Sequence, residues 1–186
     1  MTKNQAKYIQ SLSHKKFRDE EGVFVAEGTK TVAELLALPH MRPRQVYGLE
    51  SWWQLYPEWQ SADWAVMVTD AELEKISFLK TPNLVLAVFE KPDLTVEPGG
   101  WQLVLDGIQD PGNLGTIIRI ADWFGIQQII CSEDTADAFN PKVVQSTMAS
   151  IGRVEIIYTD LVGYVKAHAH RDFIAATLDG TSLKEL

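Results

Sequence analysis

Residues suited to chemistry are concentrated between Leu105 and Gly125, in the segment LDGIQDPGNLGTIIRIADWFG. The sequence predicts that a strand ends at Asp106 and that, after a turn, a helix opens with Asn113. Polar groups would then gather at the carboxyl end of a strand, where open parallel sheets bind their ligands. Arg119, further along the same helix, adds a permanent cation.

The face of this predicted helix decides whether Asn113 and Arg119 are available. Apolar residues recur at helical spacing at Ile117, Ile120, Ala121 and Phe124. Asn113 and Arg119 lie off that stripe, which makes them candidates for a binding or catalytic site. The alternative is that Asn113 only caps the helix and that Arg119 is a solvated surface residue. Periodicity leaves both interpretations open.

The composition indicates a soluble globular protein of one or two compact units. The chain has 186 residues, of which 46% are hydrophobic and 23% are charged. Its start has no continuous apolar run, so neither a secretory signal nor a membrane segment is expected, and a cytoplasmic location is predicted.

The single cysteine, Cys131, excludes an internal disulfide and a cysteine metal cluster. Because it lies in an apolar run, we expect a buried thiol and not a nucleophile.

The formal net charge of -8 argues against nucleic-acid binding, because a phosphate backbone is bound by clustered lysines and arginines. The charge is, however, unevenly distributed. Before Asp19 the chain carries cations and no acid, namely Lys3, Lys7, Lys15, Lys16 and Arg18. A local basic face is therefore available near the amino terminus.

The first half of the chain alternates short β-branched runs with helical patterns, which predicts an α/β unit over residues 1–92. The predicted strands are Val23 to Ala26, Gln45 to Gly48, Trp64 to Val68 and Leu84 to Val88. Two helices are predicted to begin near Thr31 and Thr69, because each threonine stands three residues before a glutamate, as in a capping box.

A domain boundary is predicted in the stretch from Lys91 to Gly100, which contains two prolines and two adjacent glycines. A second α/β unit, with a parallel sheet, is predicted for residues 100–186. Its predicted strands are Gln102 to Asp106, Gln127 to Cys131, Arg153 to Tyr158 and Phe173 to Leu178. Its predicted helices are Asn113 to Phe124, Pro141 to Ser150 and Asp160 to Ala167. Gly125 is predicted as a left-handed cap and Asn140 as an N-cap.

The pattern D-x-x-x-D-P-G-N-L-G-T-I-I-R-x-A-D-x-F-G, from Asp106 to Gly125, resembles the first signature motif of the TrmH-like (SpoU) branch of the SPOUT RNA methyltransferases. This resemblance implies methyl transfer from S-adenosylmethionine to a ribose 2'-hydroxyl of transfer or ribosomal RNA. It also implies that Asn113 and Arg119 are catalytic. Because a guanidinium has no acceptor, Arg119 would stabilise the developing alkoxide and the adjacent phosphate instead of acting as a base.

A second segment, FNPKVVQSTMASIGRVEI from Phe139 to Ile156, resembles the second motif of the same family. The resemblance implies that Lys142 and Thr147 contact RNA. The family has Arg-x-Ser where this chain has Gln145, Ser146 and Thr147. Thr147 therefore keeps the hydroxyl, whereas Gln145 lacks the charge for a phosphate contact.

The segment HKKFRDEEGVFVAEGTKTVAELL, from His14 to Leu36, is similar to the small substrate-binding domain of many members. That domain has a ribosomal L30-like α/β fold and grips structured RNA. The resemblance implies RNA contacts for Lys7, Lys15, Lys16, Arg18 and Glu27, and the basic residues among them would contact phosphates. Together the three segments extend the resemblance over essentially the whole chain.

Family members continue past a segment like FIAATLDGTSL, from Phe173 to Leu183, into a third motif that forms a trefoil knot and much of the cofactor site. This chain ends at Leu186, so we expect a SPOUT domain truncated before the knot and a fragment that is inactive alone. The remaining cofactor loop would contribute Thr177, Asp179 and Gly180 to S-adenosylmethionine binding. The resemblance further implies a homodimer in the complete protein.

The alternative function is a non-catalytic RNA-binding protein built on the same two domains. A small-molecule enzyme lacks support, because neither a dinucleotide glycine fingerprint nor a nucleophile-base pair is visible.

No metal is expected, since His168 and His170 lack an evident third ligand. A crowded aromatic group fits both base stacking and core packing. It consists of Trp52, Trp53, Tyr56 and Trp59.

Overall fold

A computed structural model of the chain describes residues 1–93 and 100–177. Within these ranges the chain forms two α/β units, each built on its own sheet, which confirms the fold class predicted from the sequence. No helix in the two described ranges is long and apolar enough to cross a bilayer.

The sheet of the first unit has four strands: β1 (Val23–Glu27), β2 (Pro43–Gly48), β3 (Ala65–Met67) and β4 (Val85–Glu90). Their order is β1-β4-β2-β3, with β4 antiparallel to both of its neighbours and β3 parallel to β2. Successive residues of β1 point to opposite faces of the sheet. Phe24 packs into one hydrophobic cluster and Val25 into another, so the strand is buried on both sides.

The helices of the first unit are α1 (Lys3–Ser11), α2 (Lys15–Glu21), α3 (Thr29–Ala37), α4 (Glu50–Leu55) and α5 (Asp70–Ile76). A capping box precedes α1, where the Thr2 hydroxyl accepts from Gln5 N at 3.2 Å. Gly22 ends α2 in the left-handed conformation, with φ of 64°. Neither of these two helices is among those predicted from the sequence.

The second unit has three strands, β5 (Gln102–Leu105), β6 (Gln128–Cys131) and β7 (Glu155–Tyr158), in the order β5-β6-β7. All three are parallel, as predicted, so their carboxyl ends lie on one edge of the sheet. The helices are α6 (Pro111–Trp123), α7 (Pro141–Thr147) and α8 (Leu161–Ala167), with a short 3-10 helix at Ser150–Gly152.

The capping boxes predicted in the first unit have different outcomes. At Thr69 the backbone N–H donates to Glu72 Oε2 at 3.0 Å, which confirms the predicted start of α5. A helix does begin near Thr31, at Thr29, but Thr31 lies inside α3 and is buried, so the capping box predicted there does not form. The helix begins instead after Gly28, whose φ of 101° is readily adopted only by glycine.

The strand predicted for Phe173 to Leu178 is not found over residues 173–177, and Leu178 lies outside the described residues. Phe173 and Ile174 are exposed instead of packed on the sheet. A strand is stabilised by ladder hydrogen bonds to a neighbour, and within the described ranges β5 pairs with β6 alone. The apolar residue types of this segment are therefore insufficient to make it a strand.

The helix α6 buries a different face from the one that its apolar spacing predicts. Leu114, Ile118 and Ala121 are fully buried, whereas Ile120 and Phe124 are 47% and 73% exposed. The predicted stripe is thus wrong at two of its members. The residues that a helix buries depend on where its neighbours lie, and this is not contained in the period of the helix.

Close packing against α7 orients α6. A Cβ added at Gly115 would lie 2.4 Å from Ser146 Cβ and 2.8 Å from Val143 O, so only a glycine allows this approach. After α6, Gly125 has the predicted left-handed conformation, with φ of 72°. The exposed side of α6 therefore faces away from α7 and from the sheet.

One hydrophobic core continues from the first unit into the second. Phe24 of β1 packs on Phe139 of the second unit, with ring centroids 5.3 Å apart. Gly152 approaches α3 so closely that an added Cβ would be 2.8 Å from side-chain atoms of Leu35 and Leu38. The two units are thus packed directly on each other. Residues 94–99 of the predicted boundary lie outside the described ranges.

Candidate functional site

The carboxyl ends of β5 and β6 form the edge from which α6 starts. Gly107 N–H, shortly after β5, donates to Ser132 Oγ at 2.9 Å, and Ser132 directly follows β6. Asp106 is exposed at the same edge. The predicted gathering of polar groups at the carboxyl end of a strand is confirmed, and this is where parallel sheets bind ligands.

Asp110, and not Asn113, caps α6. The Asp110 carboxylate accepts from Asn113 N at 2.8 Å, and Pro111 occupies the first helical position. The interpretation of Asn113 as the helix cap is therefore wrong. Its side chain is exposed in the first turn and has no capping role.

Arg119 is exposed on the open side of α6, away from the buried Leu114 and Ile118. It lies six positions after Asn113 on the helix, which corresponds to a rise of about 9 Å and a rotation of about 120°. Both side chains belong to the open half of the helix, and the described contacts show no hydrogen bond between them. A permanent cation in this position is accessible to an anionic group of a ligand.

The first turn of α7 presents Lys142. Asn140 Oδ1 accepts from Lys142 N at 2.9 Å, and Pro141 takes the first helical position, which confirms the predicted N-cap. Lys142 is exposed at this helix start. Thr147 is fully buried and donates its hydroxyl to Val144 O at 2.7 Å. The structure contradicts the predicted RNA contact of Thr147, because a buried hydroxyl used in this way does not reach a ligand.

A cleft of about 560 Å³ opens between the two units. The first unit contributes Glu27 and Phe78, and the second contributes the starts of α6 and α7, including Lys142 and Gln145. Glu27 and Lys142, which are far apart in the sequence, thus line one cleft beside the helix that carries Asn113. A concave site of this size at a domain contact is a common place for a ligand.

Glu27 is the buried acid of this cleft, with 6% of its surface exposed. Its carboxylate accepts from Ser77 Oγ at 2.6 Å and from Phe78 N at 2.7 Å. Burial raises the pKa of Glu27 above its ordinary value, and the two hydrogen bonds oppose this shift without cancelling it. A carboxylate does not attract a phosphate, so an RNA contact of Glu27 requires a hydrogen-bond donor on the RNA.

Arg18 is not part of an RNA-facing surface. It is 1% exposed, and its Nη1 donates to Leu12 O at 2.7 Å and to Ser13 O at 2.8 Å. Its Nη2 forms an ion pair with Asp137 of the second unit. The structure contradicts the predicted RNA contact, because these donors are used inside the protein to join the two units.

The remaining predicted cations of the first unit lie on exposed helical surfaces. Lys7 is exposed on α1. On α2, Lys15 pairs with Asp19 at 2.5 Å and Lys16 with Glu20 at 3.8 Å. Exposed pairs of this kind contribute about 0–1 kcal/mol, so a phosphate group can replace the carboxylates. The acids of α2 nevertheless make this face less basic than the first 18 residues indicate.

The structure shows how the crowded aromatic group and His168 are packed. Trp52 and Trp53 are fully buried and pack edge to face at 4.7 Å, so core packing is the correct interpretation for them. His168 stacks on Tyr164 with centroids 4.1 Å apart. Within residues 1–93 and 100–177 no three potential metal ligands come together.

Of the three residues predicted to bind S-adenosylmethionine, Asp179 and Gly180 lie outside the described ranges, and Thr177 is at the end of one. Thr177 and residues 172–176 before it are exposed. A cofactor of this size binds in a largely enclosed and mostly apolar pocket. Because residues 172–177 are exposed, the described residues do not enclose Thr177 in such a pocket.

Comparison with known proteins divides the chain in the same way as the two sheets. Residues 100–186 match the SpoU rRNA Methylase family, and residues 3–87 match the MRM3-like substrate binding domain. The chain is 29% identical over 188 residues to the 23S rRNA (guanosine(2553)-2'-O)-methyltransferase RlmP of Bacillus subtilis. That alignment covers 99% of this chain and 75% of the Bacillus protein.

Solved structures show the same fold. A TrmH-family protein from Porphyromonas gingivalis is 35% identical with a TM-score of 0.75, over 91% of this chain and 68% of that one. The rRNA methyltransferase of Sinorhizobium meliloti, solved with S-adenosylmethionine bound, is 29% identical with a TM-score of 0.76. The match covers 91% of this chain and 66% of the Sinorhizobium chain.

These matches place the protein in the class of RNA methyltransferases that use S-adenosylmethionine. Within that class, the chain belongs to the SpoU rRNA Methylase family, which is the TrmH-like branch. The family resemblance carried by Asp106–Gly125 and by His14–Leu36 is therefore confirmed.

Three features of this region are absent from the sequence predictions. The Asp-Pro pair at Asp110 is a recognisable helix-start signal and would have identified the cap. Asp137 lies 119 residues from its partner Arg18, so no local pattern indicates the pair. Met148 and Ala149 have φ of 52° and 73°, and neither residue type signals a left-handed backbone.

Proposed function

We propose that the complete protein transfers a methyl group from S-adenosylmethionine to a ribose 2'-hydroxyl of ribosomal RNA. The observation that supports this most directly is the exposure of Asn113 and Arg119 on α6, the helix whose start lines the cleft between the two units. A relative named as a 23S rRNA 2'-O-methyltransferase is similar over 99% of this chain. S-adenosylmethionine supplies the methyl group when it is bound.

In this proposal Arg119 stabilises negative charge. A ribose hydroxyl is a poor nucleophile, and its oxygen becomes more negative during attack as its proton passes to solvent water. The guanidinium of Arg119 is always protonated and exposed, so it can donate to that oxygen and to the adjacent phosphate. Asn113 holds the substrate through its amide, while Asp110 caps the helix that carries both residues.

Residues 1–92 act as the substrate-binding domain and residues 100–186 as the methyltransferase domain in this proposal. Phosphate contacts position an RNA without reading its sequence. The exposed lysines Lys7, Lys15 and Lys16 of the first domain and Lys142 of the second provide such contacts. Because the net charge is -8, binding depends on these local faces and decreases steeply with salt.

We also propose that the complete protein is a homodimer. Support comes from an exposed apolar group on α6, in which Ile120, Trp123 and Phe124 are 47%, 85% and 73% exposed. Contiguous apolar surface of this kind marks protein contacts. Sedimentation of the complete protein tests the proposal, since a monomer at micromolar concentration would contradict it.

The activity is tested by methyl transfer from radiolabelled S-adenosylmethionine to ribosomal RNA, followed by alkaline hydrolysis. A nucleotide methylated on the 2'-oxygen lacks the hydroxyl that attacks its phosphate, so we expect label in alkali-resistant dinucleotides. Arg119→Ala should lower the rate by about 100-fold or more, with RNA affinity changed only a few fold. Arg42→Ala, which removes another exposed arginine, is the matched control and should keep full activity.

Three results would contradict these assignments. Label that is released as mononucleotides by alkali would place the methyl group on a base. Full activity of Arg119→Ala would remove its proposed role. RNA binding without any methyl transfer by the complete protein would favour the non-catalytic alternative.

A further inference from the structure

The cleft between the units has features that phosphate binding does not require. It buries the carboxylate of Glu27 beside apolar side chains that include Val25, Phe78 and Leu79. Phosphates are bound by cations and by hydrogen-bond donors, and a carboxylate repels them. This part of the cleft is therefore chemically suited to a different portion of an RNA.

The carboxylate of Glu27 is fixed in orientation and keeps acceptor capacity. One oxygen accepts from Ser77 Oγ at 2.6 Å and the other from Phe78 N at 2.7 Å. Each carboxylate oxygen has two lone pairs and can accept a second hydrogen bond. In the described part of the chain, Ser77 Oγ and Phe78 N are the hydrogen-bond partners of the Glu27 carboxylate, and both are neutral. A further donor from a ligand would stabilise the ionised form of Glu27.

The α7 side of the cleft offers a neutral amide. Gln145 lines the cleft, and a Cβ added at Gly28 would lie 3.9 Å from Gln145 Nε2, so this amide extends to the first unit. An amide both donates and accepts, which matches the edge of a nucleobase better than it matches a phosphate.

We infer that the cleft binds one unpaired nucleobase of the RNA substrate, whose exocyclic amino group donates a hydrogen bond to the Glu27 carboxylate. This inference rests on the proposed function. Adenine, cytosine and guanine carry such a group, and uracil does not. Phe78 supplies an apolar surface for the ring, and Lys142 at the cleft supplies a cation for the phosphate of the same nucleotide.

Recognition of this kind is consistent with how proteins read RNA. The grooves of an RNA helix present little sequence information to side chains, so sequence-specific recognition is directed to unpaired bases that can enter a pocket. A cleft of about 560 Å³ is large enough for one nucleotide and is open to solvent between two domains. Glu27 would then select the base, and the lysines would position the backbone.

The probes are AMP, CMP, GMP and UMP, each titrated into the isotope-labelled protein while backbone amide chemical shifts are recorded. We expect shifts at cleft residues such as Leu79 and Ser146, and at least one amino-bearing nucleotide binding about fivefold or more tighter than UMP. Glu27→Gln should abolish this preference, because its amide presents a donor where the carboxylate accepts. Glu74→Gln, an exposed change on α5 outside the cleft, is the matched control and should preserve it.

A second variant keeps the test decisive if Glu27→Gln does not fold. Gln145→Ala changes a partly exposed cleft residue and should weaken the binding of the preferred nucleotide several fold while the spectrum remains that of a folded protein. Binding of UMP as tightly as the other nucleotides, shifts located outside the cleft, or no shifts with any nucleotide would overturn the inference.

Two outcomes distinguish the base site in the cleft from the proposed methyl transfer. Methyl transfer to ribosomal RNA without base-selective binding in the cleft would leave the proposed function standing and refute the base site. Base-selective binding in the cleft with no methyl transfer by the complete protein would support the base site and refute the activity.

Discussion

Arg18 and Asp137 form an ion pair that joins the two units across a separation of 119 residues in the sequence. Arg18 is almost completely buried, and it also donates to two carbonyl groups after α1. Asp137 accepts from Phe139 N at 3.0 Å, next to the ring that packs on the first unit. The pair thus connects the end of α1 to the loop before α7, and both border the cleft.

Asp137→Ala should destabilise the protein strongly, because it leaves the buried Arg18 cation without a counter-charge. We expect the free energy of unfolding, measured by urea denaturation, to fall by about 3–5 kcal/mol. Arg44→Ala is the control, since it breaks an exposed pair with Glu21 at 2.9 Å and should cost about 0–1 kcal/mol. Equal effects of the two substitutions would show that the buried pair does not tie the units together.

Gly115→Ala should disrupt the packing of α6 on α7. The added methyl group would meet Ser146 Cβ at 2.4 Å and Val143 O at 2.8 Å, so the helices must separate. We expect a loss of about 1–3 kcal/mol in the free energy of unfolding. Gly112→Ala, in the first turn of the same helix, is the control. Its added methyl group would meet only Asp110 Oδ1, at 3.1 Å, and the free energy of unfolding should change by less than about 1 kcal/mol. A Gly115→Ala protein as stable as the control would contradict the close approach.

Met148→Gly should leave the stability unchanged or raise it slightly. Met148 has φ of 52° and ψ of 49° at the end of α7, and its side chain is exposed. Relief of left-handed strain, about 1–2 kcal/mol, is partly offset by the greater freedom of glycine in the unfolded chain. Lys166→Gly on α8, where no such strain exists, should lower the thermal midpoint. A Met148→Gly midpoint lowered as much as that of Lys166→Gly would refute strain at this position.

Glu27 should make the stability depend on pH in a defined direction. Burial raises the pKa of Glu27 in the folded state above its ordinary value of 4.5, so the native protein binds this proton more tightly than the unfolded chain. The stability linked to this group is therefore fully present below the unfolded pKa and is lost as pH rises through the folded pKa. Glu27→Gln cannot titrate and should lack this loss.

This pH dependence is measured by urea denaturation of the wild type and of Glu27→Gln at a series of pH values from about 4 upward. Glu27→Gln should gain stability relative to the wild type as the pH increases from the unfolded-state pKa of Glu27 to its folded-state pKa. Two curves that remain parallel would indicate that the pKa of Glu27 is not raised. Glu74→Gln serves again as the matched control, because Glu74 is exposed on α5.

The sequence alone determined the local features of this protein and its family. Strand positions such as Val23–Glu27 follow from runs of apolar residues, and helix starts at Thr69 and Asn140 follow from residue types within one turn. The motif from Asp106 to Gly125 identifies the methyltransferase family because its residue types occur in an uninterrupted order. Each of these signals extends over a few to about twenty neighbouring residues.

The tertiary structure alone decided which of the candidate side chains are accessible. Arg18 and Thr147 were predicted to contact RNA, yet both are buried, while Ile120 was predicted for the core and is exposed. Burial depends on which distant segments pack together, as Arg18 does with Asp137. Side-chain types and helical periods contain no record of such partners. For the same physical reason, the cleft that unites Glu27 with the start of α7 could be recognised only in the folded chain.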